Sequence, residues 1–169
     1  MPKLDDLIIE NANILFRNFA GEPSQFNPNG RRTFTLVLDD DEIAEKLSND
    51  GWNVKIRTPK EGQDFEPYKF LNCELKFIAD APNVRRDPEV YLVSYDADRT
   101  MHKTRLTAET VGMLDSADIS NIDIDLTPYH WNANGNSGVK AYVRTMYVTI
   151  KSDVFADKYA APSDEEIPF

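Results

Sequence analysis

The sequence predicts a mainly β protein: a small antiparallel barrel with one or two short helices and a long, projecting C-terminal β-hairpin. Three observations favour this class. Several short segments alternate between apolar and polar residues, helical spacing is confined to two short stretches, and an Asn-Gly pair joins the last two β-like segments. With 169 residues, 41% of them apolar, the chain is long enough for one domain with a sizeable core.

The first third of the chain predicts three strands. They cover residues 8–19, 31–39 and 52–59, and a Gly-, Pro- and Asn-rich loop over 21–30 separates the first two. Alternation places Ala12, Ile14 and Phe16 together on one face of the first strand. In the third strand it places Ile56 on the side of Trp52, which we expect to be core.

Residues 39–51 predict an amphipathic helix from Asp40 to Asn49, with acids in the first turn and Gly51 as the stop. The acids at 39–42 could alternatively hold a metal ion, but a helix N-terminus is the favoured interpretation. Two β-like runs follow, YKFLNCELKFI and EVYLVSY, and a second short helix is predicted from Thr107 to Leu114. Cys73, the single cysteine, is expected to be a small buried hydrophobic residue.

The clearest element is the hairpin formed by IDIDLTPYHW and VKAYVRTMYVTI around Asn134-Gly135. A turn symmetric about this pair places four residue pairs opposite each other: Trp131 with Gly138, Tyr129 with Lys140, Thr127 with Tyr142, and Asp125 with Arg144. Because side chains alternate, one face then carries rings and cations near the tip and becomes apolar at Met146 and Val148. Pro128 fits only an edge or a bulge, so the hairpin should project beyond the sheet.

This pattern of elements favours the five-stranded oligonucleotide-binding (OB) barrel, with a β-sandwich as the alternative. Flat rings offer stacking surfaces for bases, and cations between them suit phosphates. The candidate binding residues on the hairpin are Tyr129, Trp131, Lys140, Tyr142 and Arg144. Four further cations would line the same surface if their strands pair: Arg17, Arg31, Lys55 and Arg57.

Charge is segregated along the chain, although the net charge of −10 by itself argues against a nucleic-acid partner. Residues 126–151 contain no acid, whereas residues 152–169 contain five acids and one base. We therefore predict a binding domain over 1–151 and an acidic, disordered tail over 152–169.

The chain end, DEEIPF, closely resembles the acidic end of bacterial single-stranded DNA-binding proteins, which finish in acids, an aliphatic residue, proline and phenylalanine. More loosely, DGWNVKIR and the hairpin resemble phage-encoded proteins of the same functional class. Two features differ from the bacterial family: the helix after the second strand comes early, and a glycine-rich linker before the tail is missing. The resemblance implies no particular oligomeric state.

The resemblance implies a protein-binding role for six tail residues. Asp164, Glu165 and Glu166 would engage a basic rim on a replication or repair protein, Ile167 and Pro168 would lie on its surface, and Phe169 would fill a pocket. The tail and the basic surface are oppositely charged, so we also hypothesise that the tail occupies this surface until DNA displaces it.

Taken together, these features predict a non-enzymatic protein that coats single-stranded DNA and recruits replication, recombination or repair proteins. A structural virion or assembly protein is the alternative, and an enzyme ranks third because nucleophile motifs and phosphate-binding glycine loops are missing. No metal or cofactor and no membrane contact are expected. The N-terminus lacks the features of a secretory signal, so we expect a cytoplasmic location, in the bacterial host if the protein is phage-encoded.

Overall fold

The computed structural model describes residues 4–25, 27–81 and 83–151. These form nine strands, one α-helix and one 3₁₀ helix: β1 Leu7–Ile9, β2 Asn13–Asn18, β3 Arg32–Leu38, α1 Asp41–Asp50, β4 Lys55–Arg57, β5 Tyr68–Leu75, β6 Glu89–Tyr95, β7 Met101–Leu106, the 3₁₀ helix Val111–Asp115, β8 Ile119–Ala133 and β9 Asn136–Ile150. None of the helices in these ranges has the length and apolar character that crossing a membrane requires.

The strands form one mixed sheet in the order β1-β8-β9-β5-β3-β2, with β4 on β5 and the β6–β7 hairpin on β9. The prediction of a mainly β fold is confirmed, but the purely antiparallel arrangement is wrong because β9 pairs in parallel with β5 and then with β6. Within the described residues the sheet does not close into a barrel, since β1 and β2 at its two ends do not pair. Strand β9 has 15 residues and is long enough to pair with β5 and then with β6 along the same edge. The alternation of residues along β9 does not reveal these partners.

The core lies on the inner face of this sheet, where α1 and the 3₁₀ helix cover it. Phe19 and Phe34 are fully buried and stacked, with ring centroids 5.3 Å apart. Trp52 and Cys73 are buried as the sequence predicts, with 5% and 1% of their surfaces exposed. Burial raises the pKa of the Cys73 thiol, so it stays protonated and behaves as an apolar side chain.

The predicted helix after the second strand is confirmed. The Asp40 side chain accepts a hydrogen bond of 2.9 Å from the backbone N–H of Glu42, which is the geometry of an N-cap. Gly51 ends the helix with φ of +107°, a conformation that only glycine adopts without strain. The helix-cap interpretation of the 39–42 acids is therefore the correct one.

Three elements of the structure differ from the sequence-based expectation. The predicted strand over 8–19 is two strands, because Asn11 with φ of +52° turns the chain from β8 towards β3. The predicted helix from Thr107 is a turn followed by a 3₁₀ helix of five residues. The sequence does not predict strand β7. Five of its six residues are exposed, including residues on both faces of the strand, so apolar and polar side chains do not alternate along it.

Side-chain alternation fails at two irregularities. In β2 the register with β3 shifts between Leu15 and Asn18, and Phe16, with φ of +53°, is 59% exposed, away from Ala12 and Ile14, which pack on the core. In β9 a bulge opposite Asp125 keeps Arg144 on the outer face and turns Met146 inward. The predicted change from a polar to an apolar face along β9 is therefore wrong: the apolar residues past the bulge lie on the other face.

The hairpin of β8 and β9 turns at Asn134 and Gly135, both with positive φ, as a two-residue turn of this kind requires. Strand β1 covers the outer edge of β8 only between Ile124 and Leu126. Pro128 therefore lies where β8 has no partner on that edge and its missing N–H costs no sheet hydrogen bond. The hairpin projects past the sheet edge, as predicted.

Candidate nucleic-acid interface

A groove of about 640 Å³ lies between the projecting hairpin and the loop that follows β5, and we call it the hairpin groove. Its hairpin wall consists of Thr127, Tyr129, Lys140, Tyr142, Val143 and Arg144, and its loop wall of Lys76, Asn83, Val84, Arg86, Asp87 and Pro88. Four of these side chains are cationic and one, Asp87, is acidic. One oxygen of Asp87 accepts the backbone N–H of Ile78 at 2.8 Å, which holds the loop closed. The groove is thus positive in a protein of net charge −10.

Two tyrosine rings form the hairpin wall of this groove. Tyr129 and Tyr142 meet edge to face, with centroids 5.7 Å apart and ring planes at 72°, and Tyr129 is 54% exposed. The ammonium group of Lys76 lies 5.6 Å from the centroid of Tyr142. Burial, and secondarily the Glu74 carboxylate, raise the pKa of Tyr142, so this phenol stays neutral and does not repel an anion.

The register at the hairpin tip matches the prediction for three of the four pairs: Trp131 with Gly138, Tyr129 with Lys140, and Thr127 with Tyr142. The Trp131 ring lies so close over Gly138 that a Cβ atom at position 138 would come within 2.8 Å of the Cζ2 atom of the indole. Glycine is required at this position for the indole to pack across the hairpin. Trp131 is half-buried and shares the outer face with Tyr129.

Arg144 does not pair with Asp125, and the fourth predicted pair is wrong. The bulge places Asp125 opposite Thr145, and the Arg144 guanidinium instead forms an ion pair of 3.1 Å with Asp6, just before β1. Oδ1 of Asp125 is buried without a hydrogen-bond partner among the described residues. Burial, followed by the nearby Asp6 charge, raises the pKa of Asp125. This end of the groove therefore carries a cation that acids already partly neutralise.

A second groove, of about 590 Å³, runs over β3 and β5 beside the loop at 27–31, and we call it the strand groove. Its cations are Arg31, Lys55 and Lys140, and its one acid is Glu74. Lys140 lines both grooves, so the two adjoin at the hairpin. The structure therefore brings together Arg31 and Lys55, which the sequence placed on one surface only on the assumption that their strands pair.

Phe16 lines the strand groove with an exposed ring. The Arg57 guanidinium lies 4.9 Å from the centroid of that ring, within the range of a cation–π contact. A non-glycine residue with φ of +53° is a strained position, and strain of this kind is concentrated at functional sites. Sequence alternation missed this ring because it grouped Phe16 with the core-facing residues of β2. Ile56, expected beside Trp52 in the core, is also exposed, at 61%.

Arg17 lies away from both grooves. Its Nη1 donates to the backbone carbonyls of Leu114 and Ala117, each at 2.8 Å, and so ties β2 to the 3₁₀ helix.

Sequence reasoning also missed Lys76 and Arg86 on the loop wall. The bases of the loop ADAPNVRRDP were visible, but only the pairing of β6 with β9 brings this loop to the hairpin.

Comparison with protein families decides the family of this chain. A family model described as "Putative phage ssDNA-binding domain" matches residues 1–168. The chain belongs to this family. A search of curated proteins found none that matches this member of the phage ssDNA-binding domain family.

Solved structures of phage proteins are similar to this family member at low identity. The single-stranded DNA-binding protein from bacteriophage Enc34, with a C-terminal truncation, is 8% identical with a TM-score of 0.49, covering 88% of this chain and 87% of that one. The Enc34 protein in complex with ssDNA is 10% identical with a TM-score of 0.48, covering 88% of both chains. Protein gp2.5, a single-stranded DNA-binding protein encoded by bacteriophage T7, is 13% identical with a TM-score of 0.32, covering 96% and 99%.

The six tail residues predicted to bind a protein partner, from Asp164 to Phe169, lie outside the described residues.

Proposed function

We propose that this protein binds single-stranded DNA without sequence preference, through the hairpin groove and the adjoining strand groove. The observation that carries the proposal is the hairpin groove itself, which is lined by two tyrosine rings, one of them more than half exposed, together with four cations. Membership of the phage ssDNA-binding domain family supports the same function. The protein acts by binding and has no catalytic role in this proposal.

The interface combines two kinds of contact, stacking of aromatic rings on bases and ionic contacts of cations with phosphates. Tyr129 and Tyr142 stack with bases, which is tolerant of sequence because every base has a π-face. The cations of both grooves contact phosphates, and Lys140 connects the two sets since it lines both grooves. Phe16, backed by Arg57, is a third ring for stacking in the strand groove. Arg144 contributes less, because Asp6 already holds its guanidinium.

Titration with poly-dT, followed by tryptophan fluorescence at two salt concentrations, tests this function. The protein has two tryptophans, of which Trp52 is buried with 5% exposed and Trp131 lies on the outer face of the hairpin. We expect poly-dT to change the emission of Trp131, with an affinity that falls steeply as salt increases. Trp131→Phe should remove the fluorescence change, whereas Trp52→Phe, if folded, should retain it. An emission spectrum that stays constant at low salt, together with no retention of labelled oligomer in a gel, would reject the function.

We further propose that the tail recruits proteins of replication, recombination or repair, on the strength of the DEEIPF ending. Its acids and terminal phenylalanine suit a basic, apolar pocket on such a partner. The tail also competes with DNA for the positive grooves, because it has five acids and one base over 152–169.

Deletion of residues 162–169 tests the competition. The truncated protein should bind a dT oligomer more tightly than the full chain at low salt, and the difference should shrink at high salt as screening increases. A full-length variant with Asp164→Asn, Glu165→Gln and Glu166→Gln is the control for length, because it removes the three acids without shortening the chain. Equal affinity of all three proteins at low salt would contradict competition by the tail.

A further inference from the structure

A third cationic surface lies beyond the hairpin groove, on the outer face of β6, β7 and β9. We call it the tyrosine patch and define it by Tyr91, Tyr147, Lys103 and Arg105. The Tyr91 and Tyr147 rings are stacked, with centroids 4.9 Å apart and planes at 19°. The Lys103 ammonium lies 4.8 Å from the centroid of Tyr91 and 5.8 Å from that of Tyr147. Arg105 pairs directly opposite Tyr91, on the same face.

The two cations of the patch are available to a ligand. Both side chains belong to exposed residues, and neither forms an ion pair with any residue in the described part of the chain. Acidic residues outnumber basic ones by 29 to 19 in this protein. Two cations on one face without an ion-pair partner among the described residues are therefore unexpected. The stacked rings restrict Lys103 through its cation–π contacts, which lowers the entropy lost when its ammonium group binds an anion.

Two acids adjoin the patch and are engaged in hydrogen bonds. Oε1 of Glu89 accepts from the Tyr91 hydroxyl at 3.1 Å. Asp123, opposite Tyr147, accepts the backbone N–H of Asn11 at 3.0 Å. Asp123 lies on β8, and Glu89 lies at the start of β6 next to Pro88. Lys103 and Arg105 lie on the opposite side of the rings, on β7, which contains no acidic residue. The cationic side of the patch is therefore its β7 side.

The patch continues from the wall of the hairpin groove. Pro88 lines that groove, β6 begins at the next residue, and Tyr91 follows three residues after Pro88. At about 3.3 Å per residue along a strand, the patch begins roughly 10 Å from the groove. That distance corresponds to about three nucleotides of a stacked strand with 3.4 Å between bases.

We propose that a DNA strand leaving the hairpin groove past Pro88 continues over the tyrosine patch, where Lys103 and Arg105 contact its phosphates. This inference rests on the proposed function, and it predicts that only long DNA strands contact the tyrosine patch. A short oligomer fills the hairpin groove and stops before the patch, whereas a longer one reaches both. The patch thus sets part of the length dependence of binding.

The test compares dT oligomers of about 6 and about 16 nucleotides, which lie near the ends of the range for one domain of this size. The variant is Lys103→Ala with Arg105→Ala, and the control is Lys46→Ala with Lys60→Ala, which removes two exposed cations that line neither groove. For the 16-mer, the slope of log affinity against log salt should become less steep by about 1.4 in the patch variant, at roughly 0.7 per lost phosphate contact. The 6-mer should bind all three proteins equally.

Three results would overturn the inference: an unchanged slope for the 16-mer, equal losses for both oligomers, or equal losses in the patch and control variants. The first result would assign the patch to another partner, such as an acidic protein surface. Failure of the unaltered protein to bind either oligomer would instead reject the proposed function itself. Thermal unfolding of each variant confirms that the edge strand β7 remains folded.

Discussion

Replacing both Tyr129 and Tyr142 with alanine is expected to weaken binding of a dT oligomer by roughly 30-fold or more. Each base stacked on an aromatic ring contributes about 1–3 kcal/mol, and every 1.4 kcal/mol is a factor of ten in affinity. The two rings lie edge to face in the hairpin groove, with 54% of Tyr129 exposed. Fluorescence anisotropy of a labelled oligomer at fixed salt measures the loss.

The matched control is the double change of Tyr129→Phe and Tyr142→Phe. It keeps both rings and removes only the hydroxyls, so we expect an affinity close to that of the unaltered protein. The alanine variant also loses the contact between the rings, worth about 0.5–1.5 kcal/mol of folding stability, so its unfolding temperature is measured in parallel. A folded alanine variant that binds as tightly as the phenylalanine variant would exclude stacking at this groove.

Reversing the charge of Lys140 is expected to have the second largest effect. Lys140 is the cation that both grooves share. One close pair of charges in water is worth about 1 kcal/mol at 4 Å, so Lys140→Ala should weaken binding about fivefold and Lys140→Glu about 30-fold at low salt. Both effects should shrink towards high salt, because the Debye length falls from about 30 Å at 0.01 M to about 3 Å at 1 M.

Lys46→Glu is the control for Lys140→Glu. It causes the same change in net charge at an exposed residue of α1 that lines neither groove. A local contact predicts a large difference between the two variants, measured as affinity for a dT oligomer across a salt series. If the two variants weakened binding equally, the overall charge of the protein would account for the effect and Lys140 would have no specific role.

The hairpin shows how much local sequence can predict. Asn134-Gly135 determines a two-residue turn, the turn determines the register near the tip, and the register places Tyr129, Lys140 and Tyr142 on one face. All of these depend on residues close together in the chain. The same holds for α1, whose cap and stop are adjacent to it in sequence.

The bulge in β9 shows where local reasoning fails. The predicted register holds from Trp131 to Leu126 and then shifts by one residue, which separates Arg144 from Asp125 and reverses the faces of Met146 and Val148. A bulge forms where packing against other strands favours one extra residue, and alternation contains no record of it. The shift in β2 that exposes Phe16 has the same origin.

By itself, the sequence determined a mainly β protein with a capped helix, a projecting hairpin and a basic, ring-bearing face at its tip, because each depends on short-range turn chemistry and side-chain alternation. The tertiary structure alone decided that the sheet is mixed, that Lys76 and Arg86 face the hairpin, and that Tyr91 stacks on Tyr147. These contacts join residues more than 40 positions apart, through the parallel pairing of β9 with β5 and β6. The free energy of such pairings comes from burial of the whole sheet, which no local pattern contains.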